Sequence, residues 1–201
     1  MGSTPLYLLI ISGFTVILLA ILNLQRRIPN TRPRRIRFKR IHKDLALSEY
    51  ESFVFQLSYS MKYLSDNSIG ALIVVENRDN LQKYVILGYE VKAKLTSEFL
   101  TTVFGNKKSA LHDGGVIIRN FEIVSVSSYF PVTQSNMTSS FGARHRAASG
   151  LTETTDAIAL VVSETTGNIS YSKGGKIFEI EKDNLDVICE KLFQVLSFYI
   201  D

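Results

Sequence analysis

The sequence is poor in residues and motifs that define several common protein classes. It contains one cysteine, Cys189, in 201 residues, so no intramolecular disulfide can form. Cys189 lies in a C-terminal apolar pattern with helical spacing, which predicts a buried structural thiol. No second cysteine or neighbouring histidine supports a metal or redox site there. A reducing compartment is therefore compatible with this composition.

The signatures of several familiar enzyme classes are also absent. The chain has no Gly-x-x-x-x-Gly-Lys-Ser/Thr loop, no kinase glycine-rich loop and no His-Arg-Asp sequence. It has neither a Gly-x-Ser-x-Gly elbow nor a His-Glu-x-x-His helix. The usual ATPase, kinase, esterase and zinc-protease interpretations therefore lose their support.

Acidic residues are missing from the first part of the chain. None precedes Asp44, whereas residues 26–43 alone carry nine lysines and arginines. Subtracting these nine from the 23 basic residues leaves 14 against 19 acidic residues, a balance of −5 in a chain of net charge +4. A nucleic-acid-binding domain spreads positive charge over its folded surface, so the basic character here belongs to one segment.

Residues 5–24 contain no charged side chain and are dominated by leucine, isoleucine, valine and phenylalanine. About 20 such residues cross a hydrocarbon core, which predicts one transmembrane helix within residues 1–25. The basic flank follows this run, so the positive-inside bias predicts a single-pass protein of the cell membrane with the remaining chain in the cytoplasm. A cleaved signal peptide would carry its positive charge before the run.

We interpret the basic residues 26–43 as a juxtamembrane linker, because Pro29 and Pro33 interrupt helix there. Beside a membrane, such a cluster serves topology and attraction to anionic lipid headgroups. Arginine-rich segments also neutralise nucleic-acid phosphates, so a nucleic-acid-binding arm is the alternative. The position next to the apolar run favours the membrane, and we expect no nucleic-acid partner.

Residues 44–201 are enough for one compact domain with a sizeable core. Apolar spacing and turn residues predict alternating helices and strands, hence an α/β domain with a mixed central β-sheet flanked by helices. Helices are predicted at residues 44–65, 97–104 and 183–199, and strands at 70–75, 84–87, 115–118, 123–127, 157–162, 169–172 and 176–180.

Polar residues interrupt the predicted strands at three places, where ligand sites of α/β sheets commonly gather. At the first, His112, Asp113, Gly114 and Gly115 lead directly into the strand at 115–118. An acidic residue before two glycines is typical of a tight turn. His112 and Asp113 also offer two metal ligands, and the glycines allow a bulky ligand to approach the backbone.

At the second place, Arg144 and Arg146 flank His145 where a loop enters a further predicted helix. Guanidinium groups and free helical N–H groups bind polyphosphate well, although a solvated basic patch explains these residues equally. At the third, Ser163 and Glu164 begin a turn rich in hydroxyl groups. Together the three segments offer a carboxylate for a divalent metal, arginines for phosphates and small residues for close packing, which is what phosphoryl chemistry requires.

Residues 70–176 resemble the diadenylate cyclase domain family in its membrane-anchored bacterial form. The family's Asp-Gly-Ala motif is matched by Asp113-Gly114-Gly115, and its Arg-His-Arg motif by Arg144-His145-Arg146, in the same order and with similar separation. Gly115 replaces the usual alanine, which predicts a slightly wider pocket. Thr165 stands where relatives often have a second glutamate. The predicted single membrane helix also departs from the several helices of most such relatives.

The resemblance implies a homodimer that condenses two ATP molecules, one per subunit, into cyclic di-AMP, with Mg²⁺ or Mn²⁺ as the cofactor. The implied catalytic residues are Asp113, Gly114, Arg144, His145 and Arg146. The implied nucleotide contacts are Leu111, Gly114, Gly115, Gly142, Ala143, Arg144, Arg146, Ser163 and Glu164. The implied metal ligands are His112, Asp113 and Glu164.

Two other functions are open at this point. A catalytically inactive, membrane-tethered nucleotide sensor would keep the fold and the arginines, and the departures at Gly115 and Thr165 are its support. A membrane-bound nucleic-acid scaffold would depend on the basic residues 26–43. The preference for adenine over guanine comes from the resemblance alone.

Overall fold

The computed structural model describes residues 36–135 and 141–199. The predicted transmembrane helix in residues 1–25 and the first part of the predicted linker lie outside these ranges. Within the described ranges, no helix combines the length and the apolar character needed to cross a membrane. The chain divides between His42 and Lys43 into two units, and the fold below is that of the second.

Seven strands and five α-helices alternate along the described residues. The strands are β1 (Ala71–Val75), β2 (Tyr89–Lys94), β3 (Gly115–Arg119), β4 (Glu122–Ser128), β5 (Ile158–Val162), β6 (Ile169–Lys173) and β7 (Lys176–Ile180). The helices are α1 (Ile36–Asp66), α2 (Gln82–Val85), α3 (Ser97–Gly105), α4 (Ala143–Thr154) and α5 (Leu185–Val195), with 3-10 turns at Ala110–His112 and Ser197–Tyr199.

All seven strands form one mixed sheet in the order β2-β4-β3-β1-β5-β6-β7. Only β1 and β3 pair in parallel, and the other neighbours are antiparallel. Ile73 lies at the centre of the sheet, opposite Val116 on one side and Leu160 on the other. The mixed α/β sheet that the sequence predicts is thus confirmed.

Side chains of β1 alternate between two apolar layers, because successive residues of a strand point to opposite faces. Ile73 and its neighbours at alternate positions pack with α1, α3 and α5. Leu72 and Val74 pack with α2 and α4 on the other face. Every residue of β1 and β5 is buried, as expected of strands that are covered on both faces.

The prediction of a strand at residues 84–87 is wrong, because this run forms the short helix α2 and the turn after it. Tyr84 and Val85 are buried whereas Ile86 and Leu87 are exposed, the pattern of one helical turn. The strand of this region is β2, which was not predicted. Its exposed charged side chains give it the polar character of an edge strand, which apolar patterns do not detect.

Two helix ends and one burial prediction also differ from expectation. Helix α1 begins at Ile36, so the last eight residues of the predicted linker are helical, after both prolines have passed. Helix α5 ends at Val195 and a 3-10 turn completes the predicted segment. Cys189 is half-buried and not fully buried, because Ile188 and Leu192 occupy the inward face of α5.

Two tight hairpins join neighbouring strands of the sheet. Gly174 and Gly175 have φ of 57° and 75°, the left-handed pair that joins β6 to β7. Asn120 and Phe121 take similar angles, 48° and 65°, between β3 and β4. Phe121 lacks the conformational freedom of glycine at this positive φ. Its ring centroid lies 4.7 Å from that of Tyr199. Aromatic packing therefore holds the strained turn in place.

A buried ion pair closes the end of β1. The Glu76 side chain, 9% exposed, accepts hydrogen bonds from Arg119 Nε at 2.5 Å, from Arg119 Nη2 at 2.9 Å and from the Leu81 N–H at 2.9 Å. Both carboxylate oxygens are thus satisfied. Such a pair is costly to break from one side, since the remaining charge stays buried without its partner.

We expect Arg119→Ala to lower the free energy of unfolding by about 3 kcal/mol, because Glu76 is then left buried and unpaired. Lys62→Ala is the matched control, since it removes the more exposed pair of Lys62 with Asp66, within α1, which contributes under about 1 kcal/mol. Urea denaturation of both variants measures the difference. Equal losses in the two variants would contradict the structural role given to Glu76.

Candidate active site

The three polar segments predicted from the sequence meet at one end of the sheet. Strands β1 and β3 begin there, and β5, which runs antiparallel to β1, ends there. Helix α4 also begins at this end. Any side chain at position 70, just before β1, would bring its Cβ within 2.7 Å of Arg144 Nη1 and 2.9 Å of Glu164 Cβ. Gly70 therefore leaves the space in which the segments make contact.

Asp113 lies in a constrained turn at the start of β3. Its Oδ1 accepts a hydrogen bond from the Gly114 N–H at 2.9 Å, and its Oδ2 accepts one from the Tyr129 hydroxyl at 2.9 Å. Gly114 has φ of +69°, and a Cβ there would lie 2.6 Å from the Ser128 carbonyl oxygen, so only glycine fits. The bond from Tyr129, then that from Gly114, lowers the pKa of Asp113 and favours its ionised form.

His112 is oriented by the backbone of α3. Its Nδ1 lies 2.5 Å from the Phe104 carbonyl oxygen, so this nitrogen carries the proton and donates it. In the neutral ring, Nε2 then keeps its lone pair, and it lies 3.5 Å from Arg144 Nη2. Histidines that bind metals usually have their second nitrogen fixed to a carbonyl group in this way.

Arg144 connects the three segments from the first turn of α4. Its Nη2 donates to the His112 carbonyl oxygen at 3.0 Å, and its Nη1 lies 3.5 Å from Glu164 Oε2. Its buried Nε has no partner among the described residues. Gly142 caps the helix without a side-chain bond, and the Arg146 N–H makes the first backbone bond, to Gly142. The preceding N–H groups at this helix start are available to an anion.

Two adjoining cavities share Ala143 and Arg144 as a common wall. The first, of about 220 Å³, has mainly apolar walls, and we call it the apolar cavity. The second, of about 190 Å³, we call the polar cavity. Lining residues of the apolar cavity include Leu72, Asp113, Gly114, Tyr129, Phe130, Val132 and Ala147, and those of the polar cavity include Gly142, His145, Ser163, Glu164 and Thr165.

A larger cavity, of about 440 Å³, lies at the opposite end of β3, where Phe53, Leu95 and Phe121 form part of its lining. It contains none of the residues predicted for function. Size alone would therefore mislead, and the two smaller cavities hold the carboxylates, the arginine and the helix start.

Other predicted residues lie at the margins of the cleft. Arg146 is exposed on α4, and it lines neither cavity, nor does Leu111. Gly115 is buried, and a Cβ there would lie 2.8 Å from the Leu72 carbonyl oxygen and 2.9 Å from the Phe130 ring. The expectation of a wider pocket at Gly115 is therefore wrong, because Leu72 and Phe130 close over the glycine.

His145 is buried and does not line the apolar cavity that Asp113 lines. It is 5% exposed, its ring centroid lies 5.0 Å from that of Phe141, and it lines a small cavity with Ser170 and Glu179. Burial lowers the pKa of His145, which favours the neutral ring at pH 7. From this buried position, His145 is expected to stabilise the first turn of α4.

Two side chains that were not predicted for the site also contact it. The Lys107 ammonium lies 2.6 Å from Glu164 Oε1, and this bond is the main cause that lowers the pKa of Glu164. Tyr129, directly after β4, donates to Asp113. Lys107 is in a polar turn and Tyr129 follows an ordinary strand, so neither has a sequence signal of its own. Only the fold brings them to the carboxylates.

An α/β sheet with a cleft that offers a helix start, a guanidinium and two carboxylates defines a nucleotide-binding class of domain. Residues 58–177 match the family model described as DisA bacterial checkpoint controller nucleotide-binding, or DAC. The chain belongs to this family.

Named relatives and solved structures agree with this assignment. A diadenylate cyclase of Mycoplasma pneumoniae is 46% identical over 147 residues, which cover 73% of this chain and 72% of the relative. A crystal structure of a DacA double mutant from Staphylococcus aureus is 35% identical with a TM-score of 0.68, covering 73% of this chain and 97% of that one. A hypothetical membrane spanning protein from Bacillus cereus is 38% identical with a TM-score of 0.60, and the match covers 63% of this chain and 62% of that one.

The buried His145 predicts a dependence of stability on pH. Its pKa is lower in the folded state than the ordinary 6.5, so the unfolded chain takes up a proton first as the pH falls. The buried neutral ring of His145 therefore contributes fully to stability above about pH 6.5, and this contribution is lost as the pH falls below that value. When the pH is lowered from about 7.5 to 5.5, we expect the melting temperature of His145→Gln to fall less than that of wild type. Equal falls in melting temperature for the two proteins, measured by thermal denaturation, would contradict this role of His145.

Proposed function

We infer that this chain is a diadenylate cyclase, a nucleotidyltransferase that condenses two ATP molecules into cyclic di-AMP. The observation that carries this conclusion is the placement of Asp113 and Arg144 on the walls of one cleft, in a domain of the DAC family. Phosphoryl transfer asks a protein mainly to position its reactants and to neutralise charge. A carboxylate, a guanidinium and a helix start in adjoining cavities supply those functions.

We place the base and ribose of one ATP in the apolar cavity and its triphosphate in the polar cavity. Leu72, Phe130 and Val132 offer the first an apolar wall against which a base can pack. Arg144, Gly142 and Ala143 at the start of α4, and Ser163 line the second, and guanidinium, helical N–H and hydroxyl groups all bind phosphate oxygens. Since the cavities share Arg144, the α-phosphate falls near their common wall.

Roles for the marginal residues follow from their positions. Arg146, exposed on the same turn of α4, is assigned to the departing pyrophosphate, and Leu111 to the rim of the nucleotide site. Gly142 and Ala143 let phosphates approach the helix start closely, and Gly115 keeps Leu72 and Phe130 in place. His145 supports this arrangement from below.

Diadenylate cyclases depend on a divalent metal, and the residues of this cleft fit a weakly coordinated one. Among the described residues, no group of three or more histidine, cysteine or acidic side chains is close enough to hold a metal ion alone. We assign Asp113 as the main donor, with His112 Nε2 or Glu164 as a second donor and phosphate oxygens of ATP as the rest, because Mg²⁺ is usually held by one or two carboxylates together with substrate phosphates. When bound, the metal supplies positive charge against the phosphates.

The reaction joins two nucleotides held face to face by two subunits. The Asp113 carboxylate accepts a hydrogen bond from the ribose 3′-hydroxyl, and its lowered pKa favours the ionised form that can take the proton. The 3′-oxygen attacks the α-phosphorus of the opposite ATP, the bond between the α- and β-phosphates breaks, and pyrophosphate leaves. Arg144 neutralises charge on the phosphates. Two such steps yield one cyclic di-AMP and two pyrophosphates.

Exposed apolar side chains beside the cleft support the proposal of a homodimer. Ile86 and Leu87 lie between α2 and β2, and Tyr89 is the first residue of β2. Tyr129 and Val132 line the apolar cavity and are exposed at its rim. Together these five residues form the rim patch. Large exposed apolar side chains of this kind are typical of interaction surfaces. A second subunit on the rim patch would bring its own nucleotide opposite Asp113.

We expect the chain to convert ATP into cyclic di-AMP with Mg²⁺ or Mn²⁺, and Asp113→Asn to reduce the rate at least about a hundredfold, since it loses the proton acceptor. Chromatography of the products measures both, with GTP as a parallel substrate. Asp66→Asn, in an exposed pair within α1, is the control and should keep full activity. No product from wild type with either metal, despite ATP binding, would indicate a nucleotide sensor instead.

The proposed membrane helix and basic flank would raise the local concentration of subunits on one surface. We therefore expect removal of residues 1–40 to lower activity per subunit mainly at low protein concentration. The comparison is made on the full-length chain in lipid vesicles and on the truncated chain over a dilution series. Activity per subunit that is independent of dilution in the truncated chain would contradict the dimer requirement.

A further inference from the structure

Lys107 contacts the cleft through Glu164, and no assigned role explains that contact. Its ammonium lies 2.6 Å from Glu164 Oε1, whereas Arg144 Nη1 lies 3.5 Å from Glu164 Oε2. The Glu164 carboxylate is therefore held between two cations at the wall of the polar cavity. A carboxylate in this position marks a place where an anion is stabilised from both sides.

A structural purpose does not account for the pair of Lys107 and Glu164. Their side chains are 55% and 47% exposed, and exposed ion pairs contribute little to stability. Lys107 also lies in the turn between α3 and the 3-10 turn that leads into His112 and Asp113. The segment that delivers the catalytic carboxylate thus also brings a flexible positive charge to the polar cavity.

The position between the two cations suits a phosphate group. A triphosphate adds several negative charges beside Glu164, so repulsion disfavours its carboxylate there, while a metal ion attracts it. The neighbouring Thr165 offers no second carboxylate to take the metal in its place. Lys107 and Arg144 contact opposite oxygens of the Glu164 carboxylate, so a phosphate group that takes the place of this carboxylate would contact both cations.

We propose that Lys107 is a phosphate-binding residue of this site: it neutralises Glu164 in the empty protein and contacts the β- and γ-phosphates when ATP is bound. This role rests on the proposed cyclase function, which supplies the substrate. Lys107 and Arg144 then hold the triphosphate from two sides, so that the α-phosphate is presented with pyrophosphate as a well-neutralised leaving group. Lys107 thereby adds a positive charge to a phosphate site that has few metal ligands.

The test compares ATP with AMP, because only ATP has the phosphates assigned to Lys107. Equilibrium dialysis in EDTA with the full-length chain measures binding without metal and without turnover. We expect Lys107→Gln to weaken ATP binding about tenfold, the loss of one charge-assisted hydrogen bond, and to change AMP binding less than about twofold. Lys108→Gln, the adjacent exposed lysine with the same change of net charge, should leave both affinities within about twofold.

A second comparison separates phosphate binding from mere support of Glu164. In a Glu164→Gln background, Lys107→Gln should still weaken ATP binding about tenfold, because the phosphate contact is independent of the carboxylate. Disappearance of the effect in that background, equal weakening of ATP and AMP, or equal behaviour of Lys107→Gln and Lys108→Gln would overturn the proposal. Since these measurements need no product, a failure to make cyclic di-AMP would refute the cyclase function separately.

Discussion

The direction in which β1 pairs with its two neighbours is the constraint on which the rest of the structure depends. Parallel pairing with β3 and antiparallel pairing with β5 bring the start of one neighbour and the end of the other to the same edge. Segments far apart in the chain, around Asp113 and Glu164, therefore meet there. The start of α4 then places Arg144 between them, and without this pairing the polar residues would remain three unrelated turns.

Most of the fold could be predicted because its signals are local. Continuous apolar runs indicate strands such as β1 and β5, and glycine pairs indicate the turn before β7. Strand β2 was missed because an edge strand needs no apolar run, and α2 was mistaken for a strand because four apolar residues fit either structure. The order of the strands depends on long-range pairing, which periodicity does not encode.

The site was predictable in its motifs and not in its contacts. Asp113 and Arg144 stand in motifs whose order and spacing are specific, and the structure places both at the shared cleft. The same motif predicted equal roles for His145 and Arg146, yet a helix turns successive side chains about 100° apart, so one is buried and the other is exposed. Lys107 and Tyr129 belong to no motif and reach the carboxylates only through the fold.

The polar character of β2 has a consequence for chains that gather at high density. A free sheet edge is a template for the strand of another molecule, and such pairing leads to aggregation. Glu90, Lys92 and Lys94 are exposed along this edge, and the register between β2 and β4 shifts between Glu90 and Ala93. The edge is therefore a poor match for the strand of a second molecule. Copies of the chain at high density then associate through side chains, and this association stays reversible.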